Sequence, residues 1–142
     1  MLTPTLSIVI STIDKNFEKF VKNFQFGKLK NADEVIVIVQ GAGKLVHHSE
    51  LASFNVILEK RYGLSLSRNI GIENSSSDFI WFLDDDVYLF DNSIDKIKDH
   101  LNRNPSVDLH TIRLECFDNK PYKKYPNKYS LNRINALGIS SV

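Results

Sequence analysis

Disulfides, membrane-spanning runs and a dominant charge are all missing from this sequence. Cys116 is the only cysteine among 142 residues, so no bridge can close within the chain, and this usage fits a reducing compartment. No apolar run approaches the ~20 residues needed to cross a bilayer, and the N-terminus shows neither a basic leader nor a long apolar segment. Membrane contact is therefore expected to be peripheral at most. The 18 basic and 17 acidic side chains leave a formal net charge of +1, which argues against a global electrostatic footprint for nucleic acid. No internal repeat or low-complexity tract is present. What remains is ordinary globular composition, 42% apolar and 25% charged, in a length that suits one domain with a respectable core.

Four short apolar runs rich in β-branched or aromatic residues read as strands, Leu6 to Thr12, Glu34 to Val39, Asn55 to Glu59 and Phe79 to Leu83, the first and last of them as buried ones. The second is apolar on both faces, which suits the centre of a parallel sheet. Between the strands lie helical patterns. Asp14 to Phe26 places Phe17, Phe20, Val21 and Phe24 at spacings of three and four, with Gly27 as its stop. Ser65 to Asn74 carries Leu66, Ile70 and Ile72 toward a sheet, and Ser93 to Leu101 forms the last helix. A short helix is expected near Lys44 to Ser53, a fifth strand over Val107 to Cys116, and an exposed loop over Asn119 to Ser130. Strands alternating with helices predict an α/β domain with a mainly parallel sheet and right-handed crossovers. Ligands in such sheets gather beyond the carboxyl ends of the strands. Ser11-Thr12, Gln40-Gly41 and Asp84 to Asp86 all fall at such ends.

The acidic triplet is the strongest chemical signal. Two like charges about 6 Å apart repel by roughly 2–3 kcal/mol at an effective dielectric near 20, so Asp84, Asp85 and Asp86 sit together most easily when a cation offsets them. In an extended chain Asp84 and Asp86 project to one side and Asp85 to the other. One carboxylate then binds a hard divalent ion while another acts through water or a ligand hydroxyl, unless the chain turns there. The duller reading is that the acids cap the next helix. That helix has its own start signal, Asp91-Asn92-Ser93 with Asp95 three residues after Asn92, resembling a capping box.

Other fragments carry less. Gly41-Ala-Gly-Lys44 follows a strand, but Ile38 and Leu45 stand where a phosphate-binding loop needs glycine and Ser or Thr, so it reads as a turn. His47 and His48 point about 100° apart on a helix and read as solvated surface residues. Tyr122 to Tyr129 mixes aromatic and basic residues yet suits a solvated loop. In Arg61-Tyr-Gly-Leu-Ser-Leu-Ser-Arg-Asn-Ile-Gly71, a helix N-terminus near Ser65 offers free N–H groups to an anion. Arg68 complements either a phosphate or the aspartates through a structural ion pair.

Three blocks, "LSIVIST" (Leu6 to Thr12), "DEVIVIVQG" (Asp33 to Gly41) and above all "GLSLSRNIGIENSSSDFIWFLDDDV" (Gly63 to Val87), together resemble the family 2 glycosyltransferases. The likeness spans most of the chain, and Leu137 to Ser141 looks like that family's next core strand. It implies a three-layer α/β/α, Rossmann-like nucleotide-diphospho-sugar transferase domain (the A-type glycosyltransferase, GT-A, fold). The implied activity is sugar transfer from a nucleotide-sugar donor to a saccharide or lipid-linked acceptor hydroxyl, inverting, in polysaccharide biosynthesis. By carry-over, Asp86 binds Mn2+ or Mg2+, and Asp84 contacts the ribose or the metal's water shell. Asp85, Arg68 and Asn69 line the donor pocket. Thr12 and Asp14 match the strand-one edge where base and ribose sit. The family's Asp-Asp pair after strand two is replaced by Val39-Gln40, which leaves Gln40 to read the base through its amide and keeps uridine, thymidine and guanosine donors open. Ser11 replaces the family's strand-one proline.

The family's general base lies beyond the point where this sequence stops, and Glu115 and Asp118 sit in no recognisable motif. Residues 1–142 are accordingly expected to form a single donor-binding domain without the acceptor half. It is expected to be cytoplasmic, at most touching the inner face of the membrane, and to self-associate if an apolar face is left open. The competing readings are a sugar-phosphate nucleotidyltransferase, for which Ser11 to Lys15 lacks the glycine-rich loop, and a non-catalytic nucleotide-binding module.

Overall fold

The computed structural model describes residues 3–41, 48–112, 115, 116, 118 and 120. The chain divides into two compact units, Met1–Asn104 and Pro105–Val142. The first contains β1 (Leu6–Ile13), α1 (Asp14–Asn23), a 3-10 turn (Phe26–Leu29), β2 (Glu34–Gln40), a second 3-10 turn (Ser49–Leu51), β3 (Asn55–Glu59), α2 (Leu64–Asn74), β4 (Phe79–Asp84) and α3 (Ser93–Arg103). The four strands form one sheet in the order β3-β2-β1-β4, every pair parallel. β1 and β2 are central, as continuous apolar runs require: a strand with no polar face has to be covered on both sides.

Alternation along the strands sorts two cores. Leu6, Ile8 and Ile10 of β1 and Val35, Val37 and Val39 of β2 pack with Phe17 and Phe20 of α1 and Ile94 and Leu101 of α3. On the opposite face Val9, Ile36 and Ile38 meet Ile57, Ile70 and Ile80, with Ile70 supplied by α2. Helices on both faces of a parallel sheet give the expected three-layer α/β/α, GT-A-like arrangement. Each fully buried Ile, Leu or Val contributes roughly 1.5–3 kcal/mol, so the two central strands dominate the stability.

Several local expectations change. α1 stops at Asn23, and Gly27 lies inside the following 3-10 turn. Leaving the helix early lets Phe24 and Phe26 both close on Phe20, the three ring centroids standing 5.1–5.2 Å apart. α2 presents Ser67 and Gly71 to the sheet, whereas Ile72 is 50% exposed. At Gly71 a Cβ would collide with Val9, so the helix lies too close to β1 for large side chains on its contact line. The expected capping box does not form: Asn92 has a left-handed backbone (φ 59) and makes no capping bond, whereas side-chain capping needs an extended N-cap residue. Asp95 instead accepts from Asn31 at 2.7 Å. His48 is not solvated; its side chain is 19% exposed, edge-on to Phe17 with centroids 5.5 Å apart, and its Nε2 lies 3.4 Å from Glu18.

In the second unit, residues 107–112 form no strand, and Val107, Leu109 and Ile112 are exposed. A strand needs a pairing neighbour to satisfy its amides. Here the bonding is local, with His110 Nε2 donating to the Val107 carbonyl at 2.9 Å and Cys116 N donating to the Lys120 carbonyl at 2.8 Å. His47, the fragment Ala42 to Lys44, nearly all of the loop Asn119 to Ser130 and the strand Leu137 to Ser141 lie outside the described residues. Among the described residues no helix is long and apolar enough to cross a membrane.

Candidate functional site

Strand order reverses around β1: the chain runs outward through β2 and β3, then returns to place β4 on the other side. Crossovers depart in opposite directions at such a point and leave a crevice beyond the strand ends. A cleft of about 380 Å³ lies there, lined by Ser11, Thr12, Ile13, Asn16, Gln40, Tyr62, Gly63, Leu64, Asp84, Asp85 and Asp86. Register sets its walls, Ser11 being level with Asp84 and Ile13 level with Gln40. A hollow of about 450 Å³ beside α3 is larger, but its charged groups are already matched. Asp95 takes Asn31, Lys98 holds Asp33 at 2.7 Å, and Asp99 pairs with Arg103 at 3.2 Å.

β4 ends at Asp84 and the chain turns at Asp85 and Asp86. The alternation expected of an extended chain is therefore broken, and all three carboxylates line the same cleft. Their circumstances differ. Asp85 accepts a 2.6 Å hydrogen bond from the hydroxyl of Thr12, which is only 2% exposed. Asp84 Oδ1 stands 3.9 Å from Arg68 Nη2, a long contact between half-exposed groups, and such pairs contribute little. The Arg68 guanidinium also lies over the Phe82 ring, 5.5 Å from its centroid. Asp86 is exposed and, among the described residues, makes no hydrogen bond or ion pair. Among the described residues no three carboxylate, imidazole or thiolate groups converge as a ready-made metal cage.

The remaining expected residues separate. Gln40 is 4% exposed and accepts a 2.6 Å hydrogen bond from Gly63 N through its Oε1. Asp14, exposed at the start of α1, accepts a 2.9 Å hydrogen bond from the Tyr62 hydroxyl. That bond, with Asp14 as the acceptor, holds the Tyr62 phenol above its usual range. Asn69 is exposed on α2 and is not among the residues lining the cleft. Neither is Arg68, which reaches the site only through Asp84.

Tyr62 carries no signal of a site role in the sequence, and Gly63 is marked there only as a turn that opens the matched block. Tyr62 crosses Gly41, whose φ of +76 and missing side chain make room for the ring; a Cβ there would overlap the phenol oxygen. Glu59, at the end of β3, is drawn down to about 2 by hydrogen bonds from the Arg61 side chain and amide. Arg61 is thereby committed to Glu59 at 3.0 Å rather than to an anion in the cleft.

The arrangement is thus a polar cleft at a topological switch point, acidic at one end and walled by an amide and a phenol at the other. Residues 7–140 match the family described as Glycosyl transferase family 2. No curated protein matches the chain at a significant level.

Proposed function

The chain belongs to glycosyl transferase family 2, and from that premise we propose that the cleft binds a nucleotide-diphosphate sugar with Mn2+ or Mg2+ for transfer of the sugar to an acceptor hydroxyl. The observation that carries this reading is the acid turn, where Asp86 faces the cleft without a partner among the described residues while Asp85 is tied to Thr12. Mg2+-type ions are commonly held by one or two carboxylates plus substrate phosphates, keeping water in the remaining positions. A donor set of Asp86 and Asp84 fits that habit without a three-ligand cage. When bound, the ion supplies charge neutralisation to the diphosphate and to the departing nucleotide.

The chain's own residues do the rest. Thr12 anchors Asp85 and so fixes the turn that carries Asp84 and Asp86 into the cleft. Arg68 stands behind Asp84 at 3.9 Å and offsets little of the repulsion within the triplet, which leaves that role to a bound cation. Gln40 and Tyr62 line the cleft away from the acid turn, and Asp14 holds the Tyr62 hydroxyl. Asn69, exposed on α2, serves the donor at most from the rim. Inversion at the sugar needs a base within hydrogen-bond reach of the acceptor. Among the described lining residues the only carboxylates are those of the acid turn, so we assign this chain donor binding first and expect slow transfer.

Thermal-shift titration tests the proposal. Saturation at about a hundredfold over Kd stabilises by about 2.7 kcal/mol, a rise of roughly 5–10 °C in Tm for a chain of this size. Nucleoside diphosphates or their sugars should give such a rise only with Mn2+ or Mg2+. Asp86→Ala should remove the metal-dependent part and leave the far-UV spectrum unchanged. Folded protein that responds to no activated sugar under these conditions would sink the proposal.

A further inference from the structure

Tyr62 lines the cleft, and among the described residues a single hydrogen bond holds its side chain there. The residue is 58% exposed, and its hydroxyl donates at 2.9 Å to Asp14, itself exposed. The backbone on either side does not share that freedom. Arg61 N donates to the Glu59 carboxylate at 2.9 Å, and Gly63 N donates to Gln40 Oε1 at 2.6 Å. The phenol can therefore swing about its side-chain bonds while the chain that carries it stays fixed. The post it is fastened to is also fixed, because Asp14 Oδ1 accepts from Lys15 N at 2.8 Å. Tyr62 follows β3, Gly41 follows β2 and Asp14 follows β1, and these strands are neighbours in the sheet. Paired strands lie about 4.8 Å apart, so the side chain and its bond cross roughly 10 Å of the cleft mouth. What lies behind them is shut off. Neither Asp14 nor Gly41, which the ring covers, is among the residues lining the cleft, although their neighbours Ile13 and Gln40 are.

Resting on the donor-binding reading above, we propose that the Tyr62–Asp14 bond is an autoinhibitory strap: it closes one end of the cleft in the unliganded chain, and a nucleoside diphosphate gains that end only after the phenol swings out. Release adds the Asp14 carboxylate and the Gly41 backbone to the cleft wall. That backbone stays in place, since Gly41 N donates to the Glu59 carbonyl at 2.7 Å. The bond is weak enough to act as a latch. A net hydrogen bond shifts an equilibrium by a factor of roughly two to ten, so a minority of molecules stand open at any moment. Apparent affinity is reduced by that open fraction. A permanent wall is anchored differently: Thr12, 2% exposed and bonded to Asp85 at 2.6 Å, shows how a fixed part of this site is held.

The test is surface plasmon resonance on the immobilised full chain, with UDP and GDP as probes in Mn2+, comparing wild type with Tyr62→Phe. That variant keeps the ring and loses only the latch. Association of the probe that binds should be roughly two- to tenfold faster in Tyr62→Phe, with dissociation unchanged, because only the open fraction differs. Tyr62→Ala clears the mouth altogether and should associate at least as fast as Tyr62→Phe. Association no faster in Tyr62→Phe than in wild type overturns the proposal and leaves donor binding intact. So does faster dissociation from Tyr62→Phe, the mark of a roof that closes over a bound nucleotide. A probe that binds Tyr62→Phe but not wild type supports the strap. Absence of binding to all three proteins overturns the proposal together with the reading it rests on. If Tyr62→Phe does not fold, the association rate of Tyr62→Ala against wild type decides.

Discussion

Replacing Gly71 with alanine tests whether the close seating of α2 on β1 holds the site together. In an exposed helix the change would stabilise, since alanine is favoured over glycine by about 1 kcal/mol. Here the new Cβ would lie 2.9 Å from Val9 Cγ2 and 3.2 Å from Val9 Cβ, and nearer still to Cγ1. Val9 cannot retreat, because it is 1% exposed on a strand paired on both sides, opposite Ile36 and Phe82. The overlap must be relieved by lifting α2, and overpacking of this kind costs about 1–3 kcal/mol. Taking the upper end against the propensity gain leaves a net loss of about 2 kcal/mol. Urea denaturation should show a lower midpoint with an unchanged slope. Val9→Ala in the Gly71→Ala background removes both Cγ methyls, so the double variant should be more stable than the sum of the single losses by about 2 kcal/mol. A Gly71→Ala protein as stable as wild type, or strict additivity in that cycle, would refute the seating argument. It would also weaken the view that the seating of α2 fixes Arg68 behind Asp84 and the Gly63 amide against Gln40.

Further expectations concern the parts that support the cleft. Asp33 is held below the ordinary carboxylate range, first by its hydrogen bond from Lys98 and also by the Leu6 amide. A lowered folded-state pKa means that its contribution is complete above about pH 4 and is lost as pH falls through the lowered value. Urea midpoints measured from pH 7 to 2.5 should therefore drop at the acid end, and Asp33→Asn should be less stable at pH 7 with a shallower acid limb. Lys28 donates to the Leu89 carbonyl at 2.6 Å, pairs with Asp91 at 3.2 Å and lies 4.6 Å from the Tyr88 ring centroid, tying down the segment after the acid turn. Lys28→Met should cost about 1 kcal/mol, and limited proteolysis should then cut between residues 87 and 91 before any other site in the first unit.

The elements legible in the residue pattern are those whose signal is local. Ile8 to Ile10 and Val35 to Val39 are apolar at every step, and only a strand covered on both faces suits such a run; the structure makes their strands the two central ones. The three aspartates at the end of an apolar strand marked the cleft for the same reason, because parallel strands deliver their carboxyl ends to one side. The sheet-facing side of α2 was only partly legible: Ile70 packs on the sheet as its spacing predicts, but Ser67 and Gly71 are the buried residues and Ile72 is exposed. Nothing in the pattern reports that Val9 leaves no room for a side chain at position 71, the point where the helix comes nearest the sheet. Val107 to Cys116 shows the converse, a pattern with strand-like residues that forms no strand over 107–112.

By itself, then, the sequence determined the four strands, the burial of the two central ones, the family and the acids at the end of β4, whereas β3 and β4, read from their apolar runs, lie half-open, with Leu58 and Phe82 exposed. Each of these depends on neighbours a few residues away or on a motif read in a line. Tertiary structure alone decided that Asp85 turns in to meet Thr12, that Tyr62 crosses Gly41 to reach Asp14, and that Gly63 holds the carbonyl of Gln40. Those bonds join residues 73, 48 and 23 positions apart. Such pairs are set by strand register and by the entry angle of a helix, and a hydrogen bond of 2.6 Å tolerates little error in either.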